Sequence, residues 1–170
     1  MRLSIRALLA WLLPEPRAAL QCRSSVWLAG CAELKRRTRG SQESGAFLLG
    51  HKHGARRDIA QFLFYDDIDE TCFANGIVEF DGSKLGRVWR YCREHSMKVV
   101  ADVHVHPHGF RQSPSDQHNP IIAEAGHFAL ILPHYASTQV LPGHIGIYEY
   151  LGNRRWRDHS RSGKRIFRVT

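Results

Sequence analysis

The stretch that most constrains this chain is Ala101–Pro120, which reads ADVHVHPHGFRQSPSDQHNP. The residues leading into it, Val99–Val105, alternate in polarity and are rich in valine, the pattern of a strand. Residues i and i+2 of a strand share a face, so His104 and His106 present two imidazoles side by side. Pro107 has no N–H for a ladder and ends the strand. A short polar loop with Gly109 follows, and Asp116 then offers a carboxylate at the start of a helix. Two histidines and one carboxylate form a common catalytic zinc set, with the fourth position left to water. His118 offers a second register for the third ligand, and His108 a further one.

A pair of histidines alone says little in a chain with 11 of them. Weight comes from a second segment, Glu43-Ser44-Gly45-Ala46-Phe47-Leu48-Leu49-Gly50, which sets an acid at the mouth of an apolar strand. A carboxylate there is suited to work as a general base.

The combination E-S-G-x-x-L-x-G, then HxHP, then SxxD resembles the JAMM (MPN-plus, JAB domain) zinc metalloprotease motif. The resemblance covers roughly Val26–Tyr150, with three separated segments in the right order. It is closest to the bacterial group that carries Q-S-x-x-D followed by N-P, here Gln112–Asp116 and Asn119-Pro120. Two details depart from the best-known members. Val105 stands where they have Ser or Thr, and the spacing from His106 to Asp116 is one residue shorter. Keeping the serine-to-aspartate spacing favours Asp116 over His118 as third ligand.

The resemblance implies a three-layer α/β sandwich, cytidine-deaminase-like, with a central mixed sheet flanked by helices. It implies Zn²⁺ held by His104, His106 and Asp116, with Glu43 as general base and the Ser113 hydroxyl stabilising the oxyanion. It also implies a substrate: the extended C-terminal tail of a ubiquitin-like protein, laid beside a sheet edge as an added strand. The function implied is deconjugation or precursor processing in a bacterial ubiquitin-like pathway, linked in some members to phage defence, with E1- and E2-like proteins as operon partners. Asp102 lies two residues before His104 on the same strand face and is either an orienter of that ligand or a salt-bridge residue.

At 170 residues the chain is one domain's worth and can bury a core without staples. Residues 1–17 read as an appendage to a domain spanning 18–170. The apolar run Ala7–Leu13 is far below the ~20 residues of a membrane span, and Pro14-Glu15-Pro16 follows it without a small-x-small cleavage site. Cys22, Cys31, Cys72 and Cys92 form no CxxC pair, which suits reduced thiols in a cytoplasmic chain. The net charge of +8 favours acidic partners. Arg154–Thr170 concentrates seven basic residues against Asp158 alone, with few of the aromatics that a single-strand nucleic-acid platform needs.

Along the chain, Ala18–Arg23 reads as a first strand, and Ser24 or Ser25 caps a helix with Val26, Leu28, Cys31 and Leu34 at helical spacing. Ile59–Tyr65 and Ile77–Phe80 read as strands, with Asp66, Asp67, Asp69 and Glu70 in a solvated loop between them. Asp81 or Ser83 opens a helix to about His95 whose apolar face is Leu85, Val88, Trp89 and Cys92, with Trp89 in the core. Asn119–Ala125 reads as a short helix. His127–Pro133 and Ile145–Leu151 read as strands, with His127 and His134 structural. Gly152-Asn153 is a hairpin turn, Arg154–His159 pairs back, and Ile166–Val169 is an edge strand.

Three other functions compete with the isopeptidase reading. The same chemistry can trim the tail of a sulfur-carrier-type protein. A non-catalytic MPN scaffold would need none of Glu43, His104, His106 or Asp116. Nucleic-acid binding rests on the charge alone.

Overall fold

The structure, a computed structural model, describes residues 18–170; the expected appendage at residues 1–17, with its apolar run, lies outside the described residues. The strands are β1 (Leu20–Cys22), β2 (Gly45–His53), β3 (Arg56–Phe64), β4 (Lys98–Val105), β5 (Phe128–Leu132), β6 (Gly146–Gly152), β7 (Arg155–Asp158) and β8 (Phe167–Val169). The helices are α1 (Ser24–Arg37), α2 (Tyr65–Ile68), α3 (Leu85–Glu94), α4 (Pro114–His118) and α5 (Gly163–Ile166). All eight strands belong to one mixed sheet, ordered β7-β6-β5-β4-β2-β3-β1-β8. The chain is thus α/β, as its pattern of elements predicts. No helix among the described residues is long and apolar enough to cross a membrane.

Each face of the sheet carries its own core, and the period-2 alternation of β2 divides between them. Ala46 and Leu48 join Trp27, Leu34, Val103, Leu130 and Phe167 under α1. Phe47 and Leu49 join Leu63, Tyr65, Val88 and Ile122 under α3. Strand β4 lies between β2 and β5, and every residue from Val99 to Val105 is buried. A central strand covered on both faces is a rigid mount for the two histidines at its end.

Several local expectations are corrected. In α1 the buried stripe is Trp27, Gly30, Cys31 and Leu34, an i, i+3, i+4, i+7 set, while Leu28 is half exposed. Neither Ser24 nor Ser25 caps it: Arg23 is the N-cap, and the Ser24 N–H donates to the Thr170 carbonyl at 2.6 Å, tying α1 to the strand that closes the sheet edge. In α3, Val88 and Cys92 are buried but Trp89 is 39% exposed, because a stripe this narrow leaves the neighbouring position facing out.

Ile77–Phe80 is not a strand. Its N–H groups are taken elsewhere, Val78 by the Glu43 carboxylate, Glu79 by the Cys72 carbonyl, and Asp81 beyond them by the Asp69 carboxylate. Asp69 is no solvated loop residue. It is buried, and it accepts from Lys84, Thr71 and Asp81. Asp66 and Asp67 both pair with Arg37 at the end of α1.

Helix α4 is Pro114–His118, and Asn119–Ala125 is not helical. Pro120 disfavours the α region at the residue before it, and Asn119 sits at φ −122°, ψ 65°. The strands at both sheet edges follow expectation, while the hairpin turn expected at Gly152-Asn153 falls one residue later, at Asn153-Arg154, both at positive φ, because Gly152 is still paired with Arg155.

Candidate metal centre

The centre grows out of sheet register. In the antiparallel β2–β4 pair, Gly45 lies opposite His104, and the Val105 N–H donates to the Ser44 carbonyl at 2.9 Å. Continuing that pairing past the strand ends brings Glu43 across from His106. Parallel β5 holds the other side, with the His106 N–H donating to the Leu132 carbonyl at 2.9 Å.

Gly45 of the E-S-G segment is required by contact. A Cβ there would collide with the Tyr65 ring and crowd the Val103 carbonyl. Buried Ser44 donates its hydroxyl to the Leu34 carbonyl at 2.8 Å, which anchors the approach to β2 on the last turns of α1.

The third candidate ligand sits in a capping box. Ser113 is the N-cap of α4. Its hydroxyl oxygen accepts the Asp116 N–H at 3.1 Å, and its own N–H donates to Asp116 Oδ2 at 2.6 Å. Pro114 occupies the first helical position, where its missing N–H costs nothing. The box turns the Asp116 carboxylate back toward β4.

His104 Nε2 and His106 Nε2 are 3.0 Å apart. Asp116 Oδ1 is 3.4 Å from His104 Nε2, and Oδ2 is 3.3 Å from His106 Nε2. A tetrahedral zinc with ligands at about 2.0–2.1 Å has edges of about 3.3–3.4 Å. The carboxylate separations match those edges, each to a different Asp116 oxygen, while the two imidazole nitrogens stand closer at 3.0 Å, so a small ion fits the group with a slight opening of the histidine pair, and the N, N, O chemistry suits such an ion. Among the described residues this is the one group of three or more His, Cys, Asp or Glu side chains so placed. Four buried cysteines are free and lie outside it, and burial pushes the Cys22 thiol up to about 11.

His118 does not join the group. It is exposed, and its Nδ1–H donates to the Pro114 carbonyl at 2.7 Å. His108 is exposed as well.

The electrostatics follow from burial and pairing. Burial works to raise the Asp116 pKa, but the two imidazoles and the Ser113 N–H outweigh it and hold the carboxyl well below its ordinary range. At His104 burial opposes protonation, yet Asp116, with Asp102 and Glu43 further off, raises its pKa above the ordinary value. Glu43 Oε1 lies 3.8 Å from His106 Nε2.

Asp102 does not orient His104. Its Oδ1 is 2.6 Å from His127 Nε2, and its Oδ2 accepts from the Tyr65 hydroxyl at 3.3 Å. His127 is thus structural, in a buried hydrogen-bonded pair with Asp102. His104 Nδ1 is buried without a hydrogen-bond partner, so that ring is held by packing and by its Nε2 neighbours.

Sequence reading missed the Val78 N–H that grips Glu43 and the Asp102–His127 pair. Neither has a local signature, since each joins residues far apart in the chain. The capping box was legible in Ser113-Pro114-Ser115-Asp116 and would have placed α4 correctly.

Two clefts open on the centre. One of about 390 Å³ is lined by His104, Asp116, Val78, Phe80 and Trp156 among others. The other, of about 780 Å³, starts at His106 and runs between the loops after β4 and β5.

The fold and site define an α/β protein with a candidate metal centre at the end of a central strand. No family model matches the chain. Its structure is similar to the solution structure of protein DSY2949 from Desulfitobacterium hafniense, at 11% identity and a TM-score of 0.65, covering 89% of this chain and 92% of that one. It is also similar to a solution structure of a protein from Salinibacter ruber, at 14% identity and a TM-score of 0.52, covering 81% and 87%. At such identities the likeness shows a shared fold.

Proposed function

We propose that the chain is a JAMM-type zinc peptidase of the JAB/MPN sandwich fold, which hydrolyses the bond after the C-terminal tail of a ubiquitin-like protein. The observation that carries this reading is the geometry of four side chains. His104, His106 and Asp116 bring two imidazole nitrogens and a carboxylate within 3.0–3.4 Å of one another, close to the edge lengths of a tetrahedral zinc site, and a tethered Glu43 carboxylate lies 3.8 Å from His106.

The residues divide the work. His104, His106 and Asp116 hold the metal. Zinc, when bound, supplies a Lewis acid and lowers the pKa of water toward ~7. Glu43 takes the proton from the attacking water and later delivers it to the leaving amine. The N–H of Val78 fixes one oxygen of that carboxylate at 3.0 Å, which leaves the other aimed at the site. Ser113 has its hydroxyl oxygen engaged by the Asp116 N–H, so its O–H hydrogen is the donor it offers to a developing oxyanion. Burial of the ligand pair keeps competing water out and strengthens these interactions.

A cytoplasmic bacterial ubiquitin-like conjugation system is the setting in which this chemistry fits, with its E1- and E2-like members as neighbours. The test is cleavage of ubiquitin-like fusions by purified protein of known zinc content, read by mass spectrometry with and without a chelator. Cleavage after the tail that stops with chelation and returns with zinc supports the reading. A zinc-loaded protein that cuts none of a broad panel would leave the scaffold reading in its place.

A further inference from the structure

The larger cleft has no acidic lining residue among the described residues. From His106 it passes His108, Arg111, His134 and His144. Through Gly143 and His144 it runs into a second hollow lined by Arg161, Lys164 and Arg165, again without an acid among the described residues. Arg111, Arg161, Lys164 and Arg165 are all exposed, and no ion pair is made by any of them among the described residues. The opposite side of the centre differs, since the smaller cleft holds Glu79, Asp102 and Asp116.

One wall of the larger cleft is preformed. His134, Tyr135 and Ala136 all have φ between 52° and 56°, a left-handed turn made without glycine. Residues other than glycine rarely adopt this conformation, so the turn is held against its own backbone preference. The turn is held by backbone bonds to the metal strand's exit: the His134 N–H donates to the His108 carbonyl at 3.0 Å, and the Tyr135 N–H to the His106 carbonyl at 2.8 Å. The wall is therefore fixed relative to the ligand His106 before anything binds.

We infer that this basic channel is a docking groove for an acidic polypeptide segment, which extends from the metal centre past His144 to Arg161, Lys164 and Arg165. The inference deepens the peptidase reading and rests on it for the direction of the substrate: the stretch on the His106 side of the scissile bond is the acidic one. Charge complementarity selects the occupant, and unpaired basic groups in a cleft focus the field that steers an anionic partner. A polypeptide fits better than a nucleic-acid strand, because among the described residues Phe110 is the only non-histidine aromatic ring lining the channel and a single strand needs successive stacking platforms.

The probe is a short fluorescent peptide of alternating glutamate and glycine, with a lysine–glycine counterpart, titrated into the full chain and followed by anisotropy. The acidic peptide binds, the basic one does not, and affinity falls as salt rises. Reversing Arg161, Lys164 and Arg165 to glutamate weakens binding by about tenfold or more and leaves zinc stoichiometry and the far-UV circular dichroism unchanged. Equal binding of both peptides, or no effect of the charge reversal in a folded variant, overturns the inference. So does an oligodeoxynucleotide that binds more tightly than the acidic peptide and displaces it. Because this readout is binding, loss of the peptidase reading would show instead as groove binding without cleavage of any fusion.

Discussion

Glu43 is held at both ends: its Oε2 accepts the Val78 N–H at 3.0 Å, while its Oε1 stands 3.8 Å from His106 Nε2. Its backbone N–H also donates to the Gly76 carbonyl at 2.9 Å. The loop after α2 thus acts as a strap that aims one carboxylate oxygen. If that oxygen moves a proton, Glu43→Gln keeps the Val78 contact and loses the base. The expected result is a fall in kcat of about 10²–10⁴ with unchanged zinc content, read by single-substrate kinetics beside elemental analysis. Full activity in the glutamine variant would remove Glu43 from the mechanism.

Asp116 and His118 lie two residues apart, yet only Asp116 faces the imidazoles. Asp116→Ala is expected to lose bound metal, and His118→Ala to retain it at wild-type stoichiometry. Mass spectrometry under non-denaturing conditions decides the matter. Metal retained by the first variant and lost by the second would reverse the assignment.

Gly45 stands against the Tyr65 ring and the Val103 carbonyl. Gly45→Ala forces the ring to move within a packed core, at a cost of about 1–3 kcal/mol. Urea denaturation measures it as a lower midpoint with an unchanged slope. Gly54→Ala is a useful contrast at a glycine with open space and φ of 62°, where the cost comes from backbone conformation alone.

The Asp69 carboxylate gives a pH dependence. Burial pushes its pKa up, but Lys84, Thr71 and the Asp81 N–H outweigh burial and hold it below its ordinary 3.8. A group depressed on folding contributes stability that is present above its unfolded value and lost as pH falls through its folded one. Asp69→Asn is therefore expected to destabilise by about 2 kcal/mol near neutral pH. The gap between variant and wild type should shrink as pH drops below about 3.8. A gap that stays constant down to pH about 2 would show that the carboxylate's charge is not what stabilises the loop.

Much of the site was legible because its parts are local. Two histidines spaced by one residue must share a strand face, and a serine three residues before an aspartate is a helix start. The alternation of β4 and the apolar run of β5 also read directly as strands. What escaped were pairings across the sheet. Nothing near Val78 in sequence says that its N–H meets Glu43, so Ile77–Phe80 reads as a strand on composition. Nothing near Asp102 says that its partner is His127, brought alongside by the parallel pairing of β4 and β5. Trp89 and Leu28 failed differently: periodicity gives the direction of a buried stripe but not its width.

The pairing of Gly45 with His104 reaches beyond the centre it assembles. A slip of one residue between β2 and β4 would turn both imidazoles to the opposite core and carry Glu43 away from them. A bound ion would then reward only the correct alignment, stabilising it by RT ln(1 + [L]/Kd) relative to every slipped one. The metal would serve as a proofreader of strand alignment during folding, rejecting misaligned chains before any substrate arrives.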